Sequence, residues 1–179
     1  MSALAWGVCC AIAIVFFTLV IWLRWQVPRF AFAEETSRPE ALREAKLVYM
    51  EKLFRISRPV GLVAKLDRAY RMPSGVIVLV EFKTRWINQP LLSDVIQLSA
   101  QRMTVMGQTG QAVAPYGFVT VKLPTKRALP TAHRVDLMSD EQVVALVRRR
   151  EEILSGHVLP RRSSLLKRCD ACAFRADCH

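Results

Sequence analysis

The chain has no cysteine between Cys10 and Cys169. No disulfide can therefore staple the body of the fold, which suits a reducing compartment. Charge is missing as abruptly at the start, where Ser2 to Leu23 contain no Asp, Glu, Lys or Arg. A run of that kind is not part of a soluble fold. Internal repeats and low-complexity tracts are absent as well, so one folded domain with one core is the expected organisation.

What fills the uncharged stretch is apolar. Ala11 to Leu23 is almost wholly hydrophobic, and a helix of about 20 such residues crosses a bilayer. Trp6, Trp22 and Trp25 stand near its ends, where aromatic belts form, and Arg24 and Arg29 follow it. The expectation is a single-pass anchor over residues 1–25, buried in the membrane through residues 3–23. The positive-inside rule then places everything after it in the cytoplasm. Ala31-Phe32-Ala33 has the form of a signal-peptidase site, but a secretory signal carries its positive charge before a shorter apolar run. Cys9 and Cys10, inside the apolar run, read as small packing residues.

All 26 basic and 15 acidic residues lie outside that run, giving a formal charge of +11. Such a balance favours a polyanionic partner. Nucleic acid fits, and so does anionic lipid drawn to Arg24, Arg29 and Arg38.

Residues 26–39, with Pro28, Pro39, Glu34, Glu35, Thr36 and Ser37, read as a linker. A helix is expected over Pro39 to Lys46, then strands over Leu47 to Ile56 and Val60 to Tyr70. Met72-Pro73-Ser74-Gly75 is a turn, and Val76 to Val80 is a strand buried on both faces that ends in Glu81-Phe82-Lys83. A helix from Leu91 to Met106 closed by Gly107 and Gly110 follows, then a strand over Tyr116 to Leu123 and a loop over Pro124 to His133. Ser139-Asp140-Glu141 caps a last helix running to Leu154, with Gly156 beyond its end. Strands preceding helices in this order imply an α/β domain with a mixed central sheet flanked by helices, spanning residues 40–179.

The chemistry concentrates at Asp67, Glu81 and Lys83. Two carboxylates on adjacent strands can hold a hard divalent cation, since Mg2+ takes one or two carboxylates and leaves its other positions to water and phosphate. Lys83 shares a strand face with Glu81, because side chains repeat every two residues, and adds a positive charge beside the acids. A surface salt bridge is the bland alternative for an acid-x-Lys triplet.

Three segments together resemble a family: Gly61-Leu62-Val63-Ala64-Lys65-Leu66-Asp67-Arg68, Val78-Leu79-Val80-Glu81-Phe82-Lys83-Thr84-Arg85, and Asp94-Val95-Ile96-Gln97-Leu98-Ser99-Ala100-Gln101. They look like the PD-(D/E)XK nuclease superfamily in its RecB-like branch, similar to CRISPR-associated exonucleases over residues 40–179. The resemblance implies a restriction-endonuclease-like core, preceded here by the transmembrane helix, and a Mg2+- or Mn2+-dependent nuclease acting on DNA. It makes Asp67 and Glu81 metal ligands, with the Phe82 carbonyl a third donor, Lys83 the catalytic lysine, and Gln97 a residue at the site or on the nucleic acid. The family's tyrosine four residues after that glutamine is replaced by Gln101, which points to an altered substrate contact. Its upstream acid on the first helix has Glu44 and then Glu51 as candidates.

The related exonucleases also end in a cysteine cluster similar to Cys169, Cys172 and Cys178 within residues 166–179, completed by a fourth cysteine to hold an iron-sulfur cluster. This chain has no such fourth cysteine. His179 offers a Cys3His alternative suited to Zn2+. Arg148-Arg149-Arg150, Arg161-Arg162 and Lys167-Arg168 are candidate phosphate contacts or, equally, a solvated helix end. Two other classes stay open beside the nuclease: a nucleic-acid-binding module without catalysis, and a scaffold at the membrane surface.

Overall fold

The computed structural model describes residues 12, 14–18, 37–125 and 128–159. Ile12 and residues 14–18 are helical and exposed. Among the described residues, no helix is long and apolar enough to cross a membrane. The rest of the expected anchor, most of the linker and the cysteine tail lie outside them.

Five strands form one sheet in chain order: β1 (Lys46–Ile56), β2 (Leu62–Arg71), β3 (Ile77–Thr84), β4 (Val113–Lys122) and β5 (Thr131–Asp136). Two helices accompany them, α1 (Leu92–Thr109) between β3 and β4 and α2 (Asp140–Leu154) after β5. Pairing is antiparallel except between β3 and β4, which run parallel. A parallel neighbour needs a crossover, and α1 supplies it.

β3 is central in the sheet and reads as a continuous apolar run because both of its faces are covered. Ile77 and Leu79 join Leu98 and Val105 of α1 in one core. Val78 and Val80 turn the other way and pack with Tyr70, Leu42 and Ala45. The period of two thus divides one strand between two cores. Glu81 and Lys83 continue the Ile77–Leu79 row, so they emerge at the end of the face that α1 covers.

Three elements differ from the sequence reading. Pro39 to Lys46 does not form an α-helix; a single 3-10 turn (Glu40–Leu42) precedes β1. Eight residues cannot offset helix nucleation, and the alternative is better: Leu42 and Ala45 are buried under the sheet while Lys46 already pairs with Arg71. Thr131–Asp136, whose first half falls in the loop expected over Pro124 to His133, is the edge strand β5. Its apolar signal is weak because only Val135 is buried, and backbone pairing with β4 holds the rest. Gly107 lies inside α1 rather than at its end. A Cβ there would stand 2.8 Å from Cγ2 of Ile56, so the absent side chain lets α1 approach β1. Gly110 ends the helix, with φ of 68° in the left-handed region.

Candidate functional site

The site begins with a polar stripe on α1. Asp94, Gln97 and Gln101 fall at i, i+3 and i+7, one face of the helix, in line with the end of β3. The two glutamines both reach Glu81 on that strand, and Asp94 meets Arg85 at its exit.

Gln101 is the deepest, 1% exposed. Its Nε2 donates to the carbonyl of Lys65 on β2 (3.0 Å) and to Oε2 of Glu81 on β3 (2.9 Å). One amide group therefore ties α1 to two strands. Its Oε1 is buried without a hydrogen-bond partner.

Gln97 sits one turn earlier. Its Nε2 donates to Oε1 of Glu81 (2.7 Å), and its Oε1 accepts from Nζ of Lys83 (2.9 Å). Lys83 closes the triangle by donating to Oε1 of Glu81 at 2.7 Å. Glu81 is 2% exposed and accepts from an ammonium and two amides.

Burial raises the Glu81 carboxyl above its ordinary pKa. The hydrogen bonds from Lys83 and Gln101 oppose that shift, and the nearby Asp67 carboxylate adds to it. Asp67 stands at the edge of the cluster. Its Oδ2 accepts from the backbone N–H of Phe82 (2.8 Å), which fixes the first acid against the strand that carries the second.

At the exit of β3, Arg85 forms a forked ion pair with Asp94, Nη1 to Oδ1 at 3.2 Å and Nη2 to Oδ2 at 2.6 Å. The same Oδ2 accepts from the N–H of Leu91 (2.8 Å), capping α1. Burial alone would push the Asp94 carboxyl up. The bonds from Arg85 and Leu91 outweigh it and hold the group below its ordinary value. The sequence reading missed this pair, although the spacing carried the signal: Arg85 is two residues beyond Lys83, and Asp94 is three before Gln97.

The structure thus brings Asp67, Glu81, Phe82, Lys83, Gln97 and Gln101 into one cluster. Gln101 is placed as a buried brace rather than an open substrate contact. Glu44 and Glu51 are not brought in. Glu44 is an exposed turn residue, since no first helix exists to carry it. Glu51 lies on β1 with φ of 51° and pairs with Lys65. Arg148 and Arg150 are exposed on α2, and Arg149 donates to the carbonyl of Leu159 (3.1 Å). Cys169, Cys172, Cys178, His179, Arg161, Arg162, Lys167 and Arg168 lie outside the described residues.

Among the described residues, no group of three or more His, Cys, Asp and Glu is placed to hold a metal. Asp67 and Glu81 are a two-carboxylate set, which is the oxygen-donor chemistry that Mg2+ accepts. A cation held by them would offset the burial that chiefly raises the Glu81 carboxyl, together with the smaller contribution of Asp67.

The architecture defines a mixed α/β domain, a five-stranded sheet flanked by helices, with a buried acid–lysine–glutamine cluster at the end of its central strand. No family model matches the chain, and no curated protein matches it. Among solved structures, the crystal structure of SSO0001 resembles it with a TM-score of 0.51 at 16% identity, covering 90% of this chain and 70% of that one. A protein named "Putative exonuclease" from Eubacterium rectale gives a TM-score of 0.49 at 14% identity, covering 80% of this chain; the chain spans 57% of that protein. The likeness to SSO0001 is one of fold.

Proposed function

We propose that the chain is a membrane-anchored, divalent-metal-dependent nuclease that hydrolyses phosphodiester bonds in DNA, with its catalytic domain in the cytoplasm. The observation that carries this reading is the buried Glu81 held between Lys83 and Gln97 beside Asp67. A structural salt bridge has no need of a second carboxylate next to it. The three motif segments that resemble the RecB-like PD-(D/E)XK nucleases supply these same residues.

Asp67, Glu81 and the Phe82 carbonyl would hold Mg2+ or Mn2+, which when bound supplies Lewis acidity toward a phosphate. The chain's own residues do the rest. Phe82 N–H fixes the orientation of Asp67, and Gln101 fixes that of Glu81. Lys83, whose side chain is 28% exposed, is partly open to solvent, so its ammonium can face both Glu81 and the negative charge that develops on a phosphate. Gln97 holds that ammonium in place from the other side. The C-terminal cysteines with His179 are assigned in the same reading to an iron-sulfur cluster or Zn2+ that pins the tail.

One observation favours a second reading, a nucleic-acid-binding module without catalysis. Both Glu81 oxygens are engaged by protein donors, as in a self-contained structural network. Cleavage of end-labelled single- and double-stranded DNA by the full chain in detergent micelles separates the two. The nuclease reading expects cutting with Mg2+ or Mn2+, none with EDTA, and loss in both Lys83→Ala and Asp67→Asn. DNA binding with no metal-dependent cutting by the unaltered protein establishes the module instead, and neither binding nor cutting rules out both.

A further inference from the structure

Trp86 is 74% exposed, and Ile87 and Leu92 nearby are 54% and 66% exposed. Three large apolar side chains within seven positions, beginning three residues after Lys83, face solvent in the connection between β3 and α1 and at the first residue of α1. Their exposure is not the slack of a loose loop. The N–H of Arg85 donates to the carbonyl of Lys122 (3.2 Å), and its guanidinium is clamped by Asp94 and by the carbonyls of Ile87 and Gln89. Asn88 is tied to β5 twice, donating to Oγ1 of Thr131 (3.2 Å) and meeting Nε2 of His133 (3.0 Å). Arg85 and Asn88 thus bond inwards while Trp86 stays exposed.

We propose that Trp86 is a stacking platform for an unpaired base of a single-stranded nucleic acid whose backbone runs past Lys83. The inference rests on the nuclease reading above and narrows its substrate class. Trp86 can lie at most about 10 Å along the chain from Lys83, a span of only about one or two nucleotides of an extended single strand. The exposed Lys122, paired across the sheet with Thr84, adds a cation at the same end of the sheet, on the face opposite Lys83, in a chain of net charge +11. Aromatic platforms beside a basic track are how single strands are held without reading their sequence. A duplex offers no such face, because its bases are already stacked on one another. A rigid indole loses little conformational freedom on contact, so a pre-positioned loop converts most of the stacking into affinity.

The test compares the full chain in detergent micelles with Trp86→Ala and Trp86→Phe, in EDTA and at one fixed salt concentration. Fluorescence anisotropy reads the binding of a labelled single strand of about 12 nucleotides, within the span of known single-strand sites, and of the corresponding duplex. Trp86→Ala is expected to weaken single-strand binding by about 5- to 140-fold, the worth of one base stack at 1.4 kcal/mol per factor of ten. Trp86→Phe keeps most of that affinity, and duplex binding stays the same in all three. Equal single-strand binding by Trp86→Ala and the unaltered protein overturns the platform while leaving the nuclease reading intact. Equal losses on single strand and duplex overturn it too. An unaltered protein that binds neither nucleic acid overturns both. Loss of binding to phosphatidylserine vesicles in Trp86→Ala, with single-strand affinity unchanged, assigns the patch to the bilayer surface and refutes the proposal.

Discussion

Replacing Lys83 by methionine tests whether the cluster is a buried, charge-strained site. Methionine keeps much of the side-chain length and removes the ammonium 2.7 Å from Glu81. Breaking a fully buried pair costs about 3–5 kcal/mol, because a charge is left without its partner. Here Lys83 is 28% exposed, and Gln97 and Gln101 still donate to Glu81, so the cost falls to about 1.5–3 kcal/mol, the range for a hydrogen bond to a charged group. The loss must depend on pH. The folded-state pKa of Glu81 is already raised above 4.5, so the folded protein keeps this proton to higher pH than the unfolded chain. The contribution of Glu81 to stability therefore declines as pH rises from about 4.5 through the elevated folded value. Removing Lys83 raises that value further and steepens the decline. Urea unfolding of the full chain in micelles, followed by circular dichroism at pH 5 and pH 8, is expected to show a small cost at the lower pH and the full cost at the higher. Glu81→Gln is expected to flatten the pH dependence in both backgrounds. A Lys83→Met cost that is the same at both pH values refutes the argument, because it removes the buried ionised carboxylate from the explanation.

Other outcomes follow from the same geometry. Arg85→Ala leaves the buried Asp94 without its guanidinium partner, with the Leu91 N–H still bonded to it, so it is expected to cost about 3 kcal/mol by urea unfolding, the low end for a broken buried pair. Because the Asp94 carboxyl is held below its ordinary value of 3.8, its stabilisation is complete above that value and lost as pH falls through the lower folded value; Asp94→Asn should remove that acid-side loss. Gly107→Ala sets the gain of an alanine inside a helix, up to about 1 kcal/mol, against overpacking of about 1–3 kcal/mol on Ile56, so a net loss of melting temperature is expected. A gain there would mean that α1 does not rest on β1. Gly110→Ala forces a side chain into φ of 68° at the helix end and is expected to cost about 1–2 kcal/mol.

Periodicity made much of this domain legible before its structure. The β-branched run that became β3, the turn at Met72 to Gly75, and the two long helices announce themselves because burial on both strand faces, positive φ and amphipathic spacing leave direct marks on residue choice. Asp67, Glu81 and Lys83 could be singled out for a similar reason, since charged groups at the ends of apolar runs stand apart from the core pattern, whereas Gln97 is marked only by the motif it resembles. What the chain did not spell out is where the environment, not the residue type, decides. Pro39 to Lys46 has the composition of a helix, but the sheet takes Lys46 as its first paired residue and leaves one 3-10 turn. Thr131–Asp136 lacks a strand's apolar signal because hydrogen bonds to β4 supply its stability from outside. Gln101 reads as a polar helix residue, and only the fold shows it sealed between the Lys65 carbonyl and Glu81. The sequence by itself determined which residues alternate, turn and cap, because those are local consequences of backbone geometry. The tertiary structure alone decided that one buried carboxylate receives an ammonium and two amides, because the amides reach it from α1 across up to 20 positions of chain.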